Sequence, residues 1–121
     1  MQERMTLQED RKETQFDLSV YKELYLDQAR QCLTTLVCSM ATLEDDPADR
    51  AALHVAHRAA HTLKGMSATM HYQALTNLAR ALEAPFYRAV QEILTLTPAQ
   101  IEKLREGCRD FETGLDCLDL E

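Results

Sequence analysis

The sequence contains no tryptophan, three glycines and three prolines among its 121 residues. Glycine and proline interrupt helices, so their scarcity favours long helical segments. No strand–helix alternation, glycine-rich phosphate loop or GxSxG motif occurs, which argues against nucleotide-binding and hydrolase folds. The longest apolar runs cover a handful of residues, too few for a membrane-spanning helix. We therefore expect a helical domain without membrane insertion.

Basic charge is also in short supply, since 13 Lys and Arg stand against 20 Asp and Glu, for a net charge of −7. Nucleic-acid phosphates and anionic membrane surfaces both attract basic patches, so we expect neither as a partner. The first residues lack the apolar segment of a secretory signal, which predicts a cytoplasmic protein.

The cysteines form no CxxC pair and show no zinc-like spacing. They are Cys32, Cys38, Cys108 and Cys117. In a cytoplasmic protein we interpret them as reduced thiols, and spacing and compartment both disfavour a redox role. Cys108 falls on an apolar helical stripe and is predicted to fill the core.

Apolar residues recur at steps of three and four in four segments, the spacing of one buried helical face. The segments cover residues 18–44, 47–70, 73–93 and 97–118. Short connections favour antiparallel neighbours, so residues 16–121 are predicted to form an all-α, up-and-down antiparallel four-helix bundle, with an extra terminal helix left open. Residues 1–15 are polar and aperiodic, which predicts a flexible N-terminal tail or a loose helix.

Local signals mark the helix boundaries. Asp46 is predicted to cap the second helix, with Pro47 at its first position. Thr97 and Gln100 have the spacing of a capping box at the start of the fourth helix. Pro85 lies inside the third segment and predicts a kink or a break just before it.

The residues best suited to chemistry lie on the second helix, where His54, His57, His61, Lys64 and Gly65 share one side. His61 points about 130° away from the centre of the apolar stripe, so we expect it to be exposed or in a shallow groove. A solvent-facing imidazole beside a lysine suits reversible phosphorylation at a ring nitrogen. Gly65 weakens the helix by about 1 kcal/mol relative to Ala, which is understandable if a partner must approach closely there.

A reactive imidazole needs its second ring nitrogen held by an acceptor. If the second and third helices are antiparallel, His61 and Glu83 lie at the same height, each about ten residues from the turn. Glu83 is then predicted to accept a hydrogen bond from one nitrogen and to leave the other free to attack phosphorus.

Two other interpretations remain open at this point. His57 and His61, spaced four apart, could bind zinc with His54 or Glu83, although no glutamate follows the first histidine as in HExxH. The same side of the helix could also be an ordinary solvated polar face, which periodicity alone does not separate from a phosphorylation site.

The segment HRAAHTLKGMSATMHYQALTNLARALE resembles the phosphoacceptor region of histidine-containing phosphotransfer (HPt) domains. The nearest match is the N-terminal phosphotransfer domain of CheA-type chemotaxis histidine kinases. The family pattern is an Arg three residues before the phosphohistidine, then His-x-Leu-Lys-Gly, a Ser/Ala-rich turn and a Leu-Glu pair. Here these are Arg58, His61, 63–65, 67–69 and 82–83. The opening LSVYKELYLDQARQCLTTL also resembles the first helix of the family, so the likeness covers residues 18–90.

The resemblance implies that His61 is the phosphoacceptor, that Glu83 orients its imidazole and that Lys64 is an electrostatic helper. The residues expected to face a docking partner are Arg58, Gly65, Ala68 and His57. The domain itself is expected to bind no cofactor and no metal. The ATP-binding domain of a histidine kinase would supply the phosphoryl group, and an aspartate of a response-regulator receiver domain, which binds Mg²⁺, would take it. The domain would then be a carrier without catalytic activity of its own, although it could be part of a histidine kinase.

Three positions depart from the family pattern. His71 stands where a glycine is usual, Arg80 stands where a second histidine is frequent, and Pro85 follows Glu83 unexpectedly. Arg80 is expected to join the hydrogen-bonded cluster or to pair with Glu83. The alternatives are a stand-alone or hybrid-kinase HPt module in a multi-step phosphorelay and, in a different class, a non-catalytic helical interaction or metal-binding bundle.

Overall fold

The computed structural model describes the backbone of residues 2–121 and the side chains of residues 18–121. Four α-helices follow one another: α1 (Gln2–Asp45), α2 (Arg50–Thr69), α3 (Gln73–Glu92) and α4 (Pro98–Asp119). Helix α2 packs between α1 and α3, and α4 closes the bundle against α1 and α3. The predicted all-α four-helix bundle is confirmed, and residues 2–121 contain no strand and no fifth helix. The tail predicted at residues 1–15 lies outside the described side chains and stays a prediction.

Most of the core consists of the apolar stripes that the sequence predicts, and Tyr25, Ala59, Ala79 and Leu96 are buried in addition. From α1 and α2 the buried members are Leu26, Ala29, Leu33, Leu36, Met40, Leu43, Leu53, Ala56, Ala60, Leu63 and Ser67. From α3 and α4 they are Leu75, Leu82, Phe86, Ala89, Ile101, Leu104, Cys108, Phe111 and Leu115. Cys108 is core filler as predicted, and its burial raises the pKa of the thiol to about 11. Ile93, the last residue of the predicted third segment, is 79% exposed, because the chain leaves the helix there with φ 54°.

The start of α2 differs from the prediction. Asp49, rather than Asp46, is the cap, and its carboxylate accepts a hydrogen bond from the backbone N–H of Ala52 at 3.0 Å. Asp46 instead accepts from the backbone N–H of Ala48 at 3.1 Å, which folds the connection into a turn and keeps Pro47 outside the helix. Two aspartates flank the same proline, and the one next to the apolar stripe is the cap.

Two further boundary predictions have opposite outcomes. The capping box of α4 is confirmed, with Thr97 Oγ1 accepting from the Gln100 N–H at 3.1 Å and Gln100 Oε1 accepting from the Thr97 N–H at 2.8 Å. Helix α3 runs through Pro85 without a break, so of the two expected effects the break does not occur and the kink stays a prediction. A proline removes a single backbone donor from the helix, and the buried side chains on either side, Leu82 and Phe86, hold the helix against the core.

Close packing places α3 against α4. A Cβ atom at Gly107 would lie 2.8 Å from Leu82 Cδ2, and one at Gly114 would lie 2.7 Å from Leu75 Cδ2. Both glycines of α4 therefore let leucines of α3 seat in the interface. Between α1 and α4, Arg30 pairs with Asp116 at 3.0 Å and Arg105 pairs with Glu44 at 2.6 Å, as the antiparallel direction of these helices allows. Within the described part of the chain, no helix combines the length and apolar character needed to cross a membrane.

Candidate functional site

Contacts at both ends set the register between α2 and α3. At the tight turn, the N–H groups of His71 and Tyr72 each donate to carbonyls in the last turn of α2, at 3.0 Å. His71 adopts the left-handed conformation with φ 61°, which favours glycine and costs another residue about 1 kcal/mol. At the other end, the Arg50 guanidinium donates to the carbonyl oxygens of Ala89 and Leu94, at 3.3 and 3.2 Å.

This register brings His61 of α2 and Glu83 of α3 together. His61 Nδ1 lies 3.2 Å from Glu83 Oε2. The His61 side chain is 64% exposed, whereas that of Glu83 is only 13% exposed. The pair therefore consists of a solvent-facing imidazole and a carboxylate set into the seam between two helices.

Lys64 binds the same carboxylate from the next turn of α2. Its Nζ lies 3.1 Å from Oε1 and 3.0 Å from Oε2 of Glu83. Burial alone would raise the pKa of Glu83, but the hydrogen bond and charge of Lys64, together with His61, outweigh it and hold this pKa below its ordinary value of 4.5. Glu83 is therefore a carboxylate at neutral pH, held from two sides.

The contact with Glu83 sets the chemistry of the His61 ring. A carboxylate can only accept hydrogen bonds, so a neutral His61 carries its proton on Nδ1. Nε2 then keeps its lone pair, on a side chain that is mostly exposed to solvent. The arrangement supplies a nucleophilic ring nitrogen together with an acceptor that orients the ring.

The residues expected to face a partner do not all lie on one open surface. Arg58, Gly65 and Ala68 are exposed on α2. A Cβ atom at Gly65 would have nothing within 4 Å, so this glycine, unlike Gly107 of α4, is not required by packing inside the domain. His57 is half-buried instead, with its ring centroid 5.7 Å from that of Tyr87 on α3.

Arg80 takes neither of the two roles expected for it. Its guanidinium donates to Asn77 Oδ1 at 3.2 Å, on its own helix, and makes no hydrogen bond to Glu83. Lys64 and His61 are the groups that contact Glu83 instead. The three members of the site are therefore His61, Lys64 and Glu83.

Sequence reasoning missed a groove that runs beside Gly65 between α1 and α2. It has a volume of about 390 Å³ and is lined mainly by apolar and small side chains. They are Tyr21, Leu24, Tyr25, Gln28, Gly65, Met66, Thr69 and Met70. Tyr21 and Leu24 are at least half exposed, as is Leu18 one turn earlier. The sequence does contain a sign of this groove, because these apolar residues of α1 lie outside the stripe that packs into the core.

The side chains of residues 18–121 include no group of three or more His, Cys, Asp or Glu placed to hold a metal ion. His57 and His61 are neighbours, with ring centroids 6.3 Å apart, but Glu83 is engaged by Lys64.

Residues 20–114 match the family model of the Hpt domain. The chain belongs to the Hpt domain family. The Hpt domain is 43% identical over 67 residues to the chemotaxis protein CheA of Bacillus subtilis, covering 55% of this chain and 10% of that protein. It is 30% identical over 96 residues to CheA of Halobacterium salinarum, covering 79% of this chain and 14% of that protein. The chain therefore spans only a small part of these curated relatives.

Solved structures agree with this assignment. The CheA phosphotransferase domain from Thermotoga maritima superposes with a TM-score of 0.77 at 28% identity, covering 81% of this chain and 93% of that one. A computationally redesigned four-helix bundle superposes with a TM-score of 0.75 at 16% identity, which shows the fold alone. This Hpt domain is thus homologous to CheA phosphotransfer domains, the phosphoryl carriers of two-component signalling.

Proposed function

We propose that His61 is the phosphoacceptor of this Hpt domain, that an ATP-bound histidine kinase domain is its donor and that a response-regulator receiver domain is its acceptor. The observation that carries the proposal is the exposed His61 ring with Nδ1 held 3.2 Å from a carboxylate. Because ATP is the phosphoryl source, the exchange takes place in the cytoplasm.

Each transfer is a displacement at phosphorus. The lone pair of His61 Nε2 attacks the γ-phosphorus of ATP, an N–P bond forms, and the bond to the bridging oxygen breaks as ADP leaves. The imidazole gains positive charge in this step, and the Glu83 carboxylate beside Nδ1 stabilises it. A receiver aspartate then attacks the same phosphorus, the N–P bond breaks, and neutral His61 returns. Both ATP and Mg²⁺ are bound by the partner domains.

Lys64 has an indirect role in this proposal. Its ammonium group lies against Glu83 on the half-buried side of the site. It keeps the carboxylate ionised and fixes its position, so that Glu83 is a ready acceptor for Nδ1. Lys64 is therefore an electrostatic helper that acts through Glu83.

The receiver docks, in our proposal, over the groove between α1 and α2. This groove places exposed Tyr21 and Leu24 next to Gly65, one turn beyond His61. The open surface at Gly65 allows a second backbone to approach the phosphohistidine closely. Arg58, also exposed on α2, adds positive charge that suits the acidic metal site of a receiver.

A CheA-type chemotaxis kinase is the proposed parent, because the curated relatives named above are both CheA proteins and the structure of a CheA phosphotransferase domain superposes over most of its length. A stand-alone or hybrid-kinase module of a phosphorelay is the second candidate. The two differ in the donor: a CheA-type kinase core in the first case, and a phosphorylated receiver in the second.

The test is phosphotransfer in trans. In one reaction, the domain is mixed with labelled ATP, Mg²⁺ and a CheA-type kinase core from which the phosphotransfer domain has been removed. In a parallel reaction, the domain is mixed with a receiver domain that carries a labelled phosphoryl group. We expect acid-labile, base-stable label on the wild type and none on His61→Gln. His54→Gln, also exposed on α2, is the matched control and should accept label normally. Label that persists in His61→Gln, or silence of the wild type with both donors, would overturn the proposal.

A further inference from the structure

His57 lies one turn before His61 and turns its ring into the seam between α2 and α3. Its ring centroid is 5.7 Å from that of Tyr87 and 6.3 Å from that of His61. Its Nε2 atom is buried and has no hydrogen-bond partner, and no other side-chain nitrogen or oxygen among residues 18–121 is in this state. An apolar ring would fill the same space without leaving a buried polar atom unpaired. The imidazole is therefore not explained by packing in the unphosphorylated domain.

The surroundings of His57 favour its neutral form. The titratable groups that face it are His54, His61 and Lys64 on α2 and Glu83 and Tyr87 on α3. Burial lowers the pKa of His57, and the negative charge of Glu83 opposes this effect. The three basic groups on its own helix lower the pKa further. A new negative charge beside the ring would shift this balance towards the protonated form.

We propose that His57 is a charge-responsive positioning residue, neutral while His61 is free and protonated from solvent when His61 carries a phosphoryl group. This inference rests on the proposed function of His61. A phosphoryl group adds up to two negative charges one helical turn from the His57 ring, at the edge of a seam where solvent screens them only in part. The protonated ring would then attract the phosphoryl group by charge from one helical turn away.

The sign of the effect follows from linkage. Phosphorylation raises the pKa of His57, so protonated His57 stabilises phospho-His61 by the same factor. This stabilisation is complete below the pKa of His57 in the free domain and is lost as pH rises through its pKa in the phosphorylated domain. The equilibrium of phosphoryl exchange with a receiver should therefore favour the wild-type domain, relative to a variant that cannot be protonated at position 57, more in mildly acidic than in alkaline buffer.

The direct test is an NMR titration of the His57 ring before and after phosphorylation. The double variant His54→Asn, His71→Asn is used, because it leaves only the rings of His57 and His61 to assign. Asparagine tolerates the left-handed conformation at position 71. Phosphoramidate serves as the small-molecule donor, so the test needs no kinase, and the N–P bond at His61 is verified by phosphorus NMR. We expect the pKa of His57 to rise by roughly one unit. An unchanged titration on the phosphorylated domain would overturn the inference while leaving the carrier role of His61 intact.

A second measurement separates charge from packing. His57→Phe keeps a ring against Tyr87 but cannot be protonated. The equilibrium of phosphoryl exchange with a receiver is compared between wild type and His57→Phe across the pH range. We expect the advantage of the wild type to fall by about tenfold from mildly acidic to alkaline pH. A difference that is the same at every pH would show a purely structural role and would also overturn the inference.

Discussion

His61 Nδ1 and Glu83 Oε2 lie 3.2 Å apart although 22 residues separate them along the chain. The same carboxylate also binds Lys64 Nζ at 3.0 Å. One residue of α3 therefore fixes both functional side chains of α2, and the geometry of the site depends on the register between these two helices.

Replacement of Glu83 is expected to slow phosphorylation of His61 without unfolding the domain. Glu83→Ala removes the acceptor of Nδ1 and the partner of Lys64, and we expect the rate to fall by about tenfold to a hundredfold. Glu83→Gln keeps an oxygen acceptor but no charge, so its rate should lie between those of Ala and wild type. Initial rates with a kinase core measure the effect.

A matched control is available on the same helix. Glu92 makes an exposed ion pair with Arg88 at 3.3 Å, remote from His61. Glu92→Ala should leave the rate unchanged, because surface pairs of this kind contribute little. Equal rates for Glu83→Ala and wild type would contradict the role assigned to the carboxylate.

Gly65→Ala is expected to make the domain more stable and less able to transfer phosphoryl groups. The methyl group meets nothing within 4 Å, so the helix should gain about 1 kcal/mol in its free energy of unfolding. The same methyl group stands where a receiver would approach. Urea unfolding and the rate of transfer to a receiver measure the two effects.

Gly107→Ala is the comparison for this prediction. Its methyl group would lie 2.8 Å from Leu82 Cδ2, so the gain in stability should be smaller than at Gly65. A Gly65→Ala domain that transfers phosphoryl groups as fast as wild type would contradict the docking proposal.

Acid should weaken the contribution of Glu83 to stability. Its pKa lies below 4.5 in the folded domain, chiefly because Lys64 outweighs the effect of burial. A carboxyl group whose pKa is lower in the folded than in the unfolded chain stabilises the fold at any pH above its unfolded-state pKa. This contribution is lost as the pH falls through the lowered pKa of the folded domain. The difference in unfolding free energy between wild type and Lys64→Met should therefore be largest at neutral pH and shrink in acid. A difference that grows on acidification would contradict this explanation.

The four free cysteines should differ in reactivity. Cys38 and Cys117 are exposed, whereas Cys108 is buried with its pKa raised to about 11. An alkylating reagent at neutral pH should modify the exposed pair in the native domain and reach Cys108 only after unfolding. Peptide mapping by mass spectrometry measures this order, and rapid labelling of Cys108 in the native state would contradict the described core.

The core was the most predictable part of the structure, because the steps of three and four along each helix encode which face is buried. The height of Glu83 relative to His61 also followed from counting residues on either side of the turn. Local signals were less decisive where two residues compete, as Asp46 and Asp49 do for the same cap.

Features that depend on the neighbouring helix were beyond sequence reasoning. Periodicity places His57 on the same side of α2 as His61, but α3 covers it through Tyr87. Arg80 could have paired with Glu83 by spacing, yet Lys64 occupies that carboxylate. Such outcomes are decided by packing between elements rather than by the pattern within one element.

The most direct test of the central claim is to identify the phosphorylated nitrogen. The domain is labelled with ¹⁵N in its histidine rings, phosphorylated by a kinase core, and examined by phosphorus–nitrogen coupling in NMR. The His61–Glu83 contact predicts an N–P bond at Nε2 of His61, with Nδ1 still protonated. A phosphoryl group on Nδ1, or on a residue other than His61, would contradict the account.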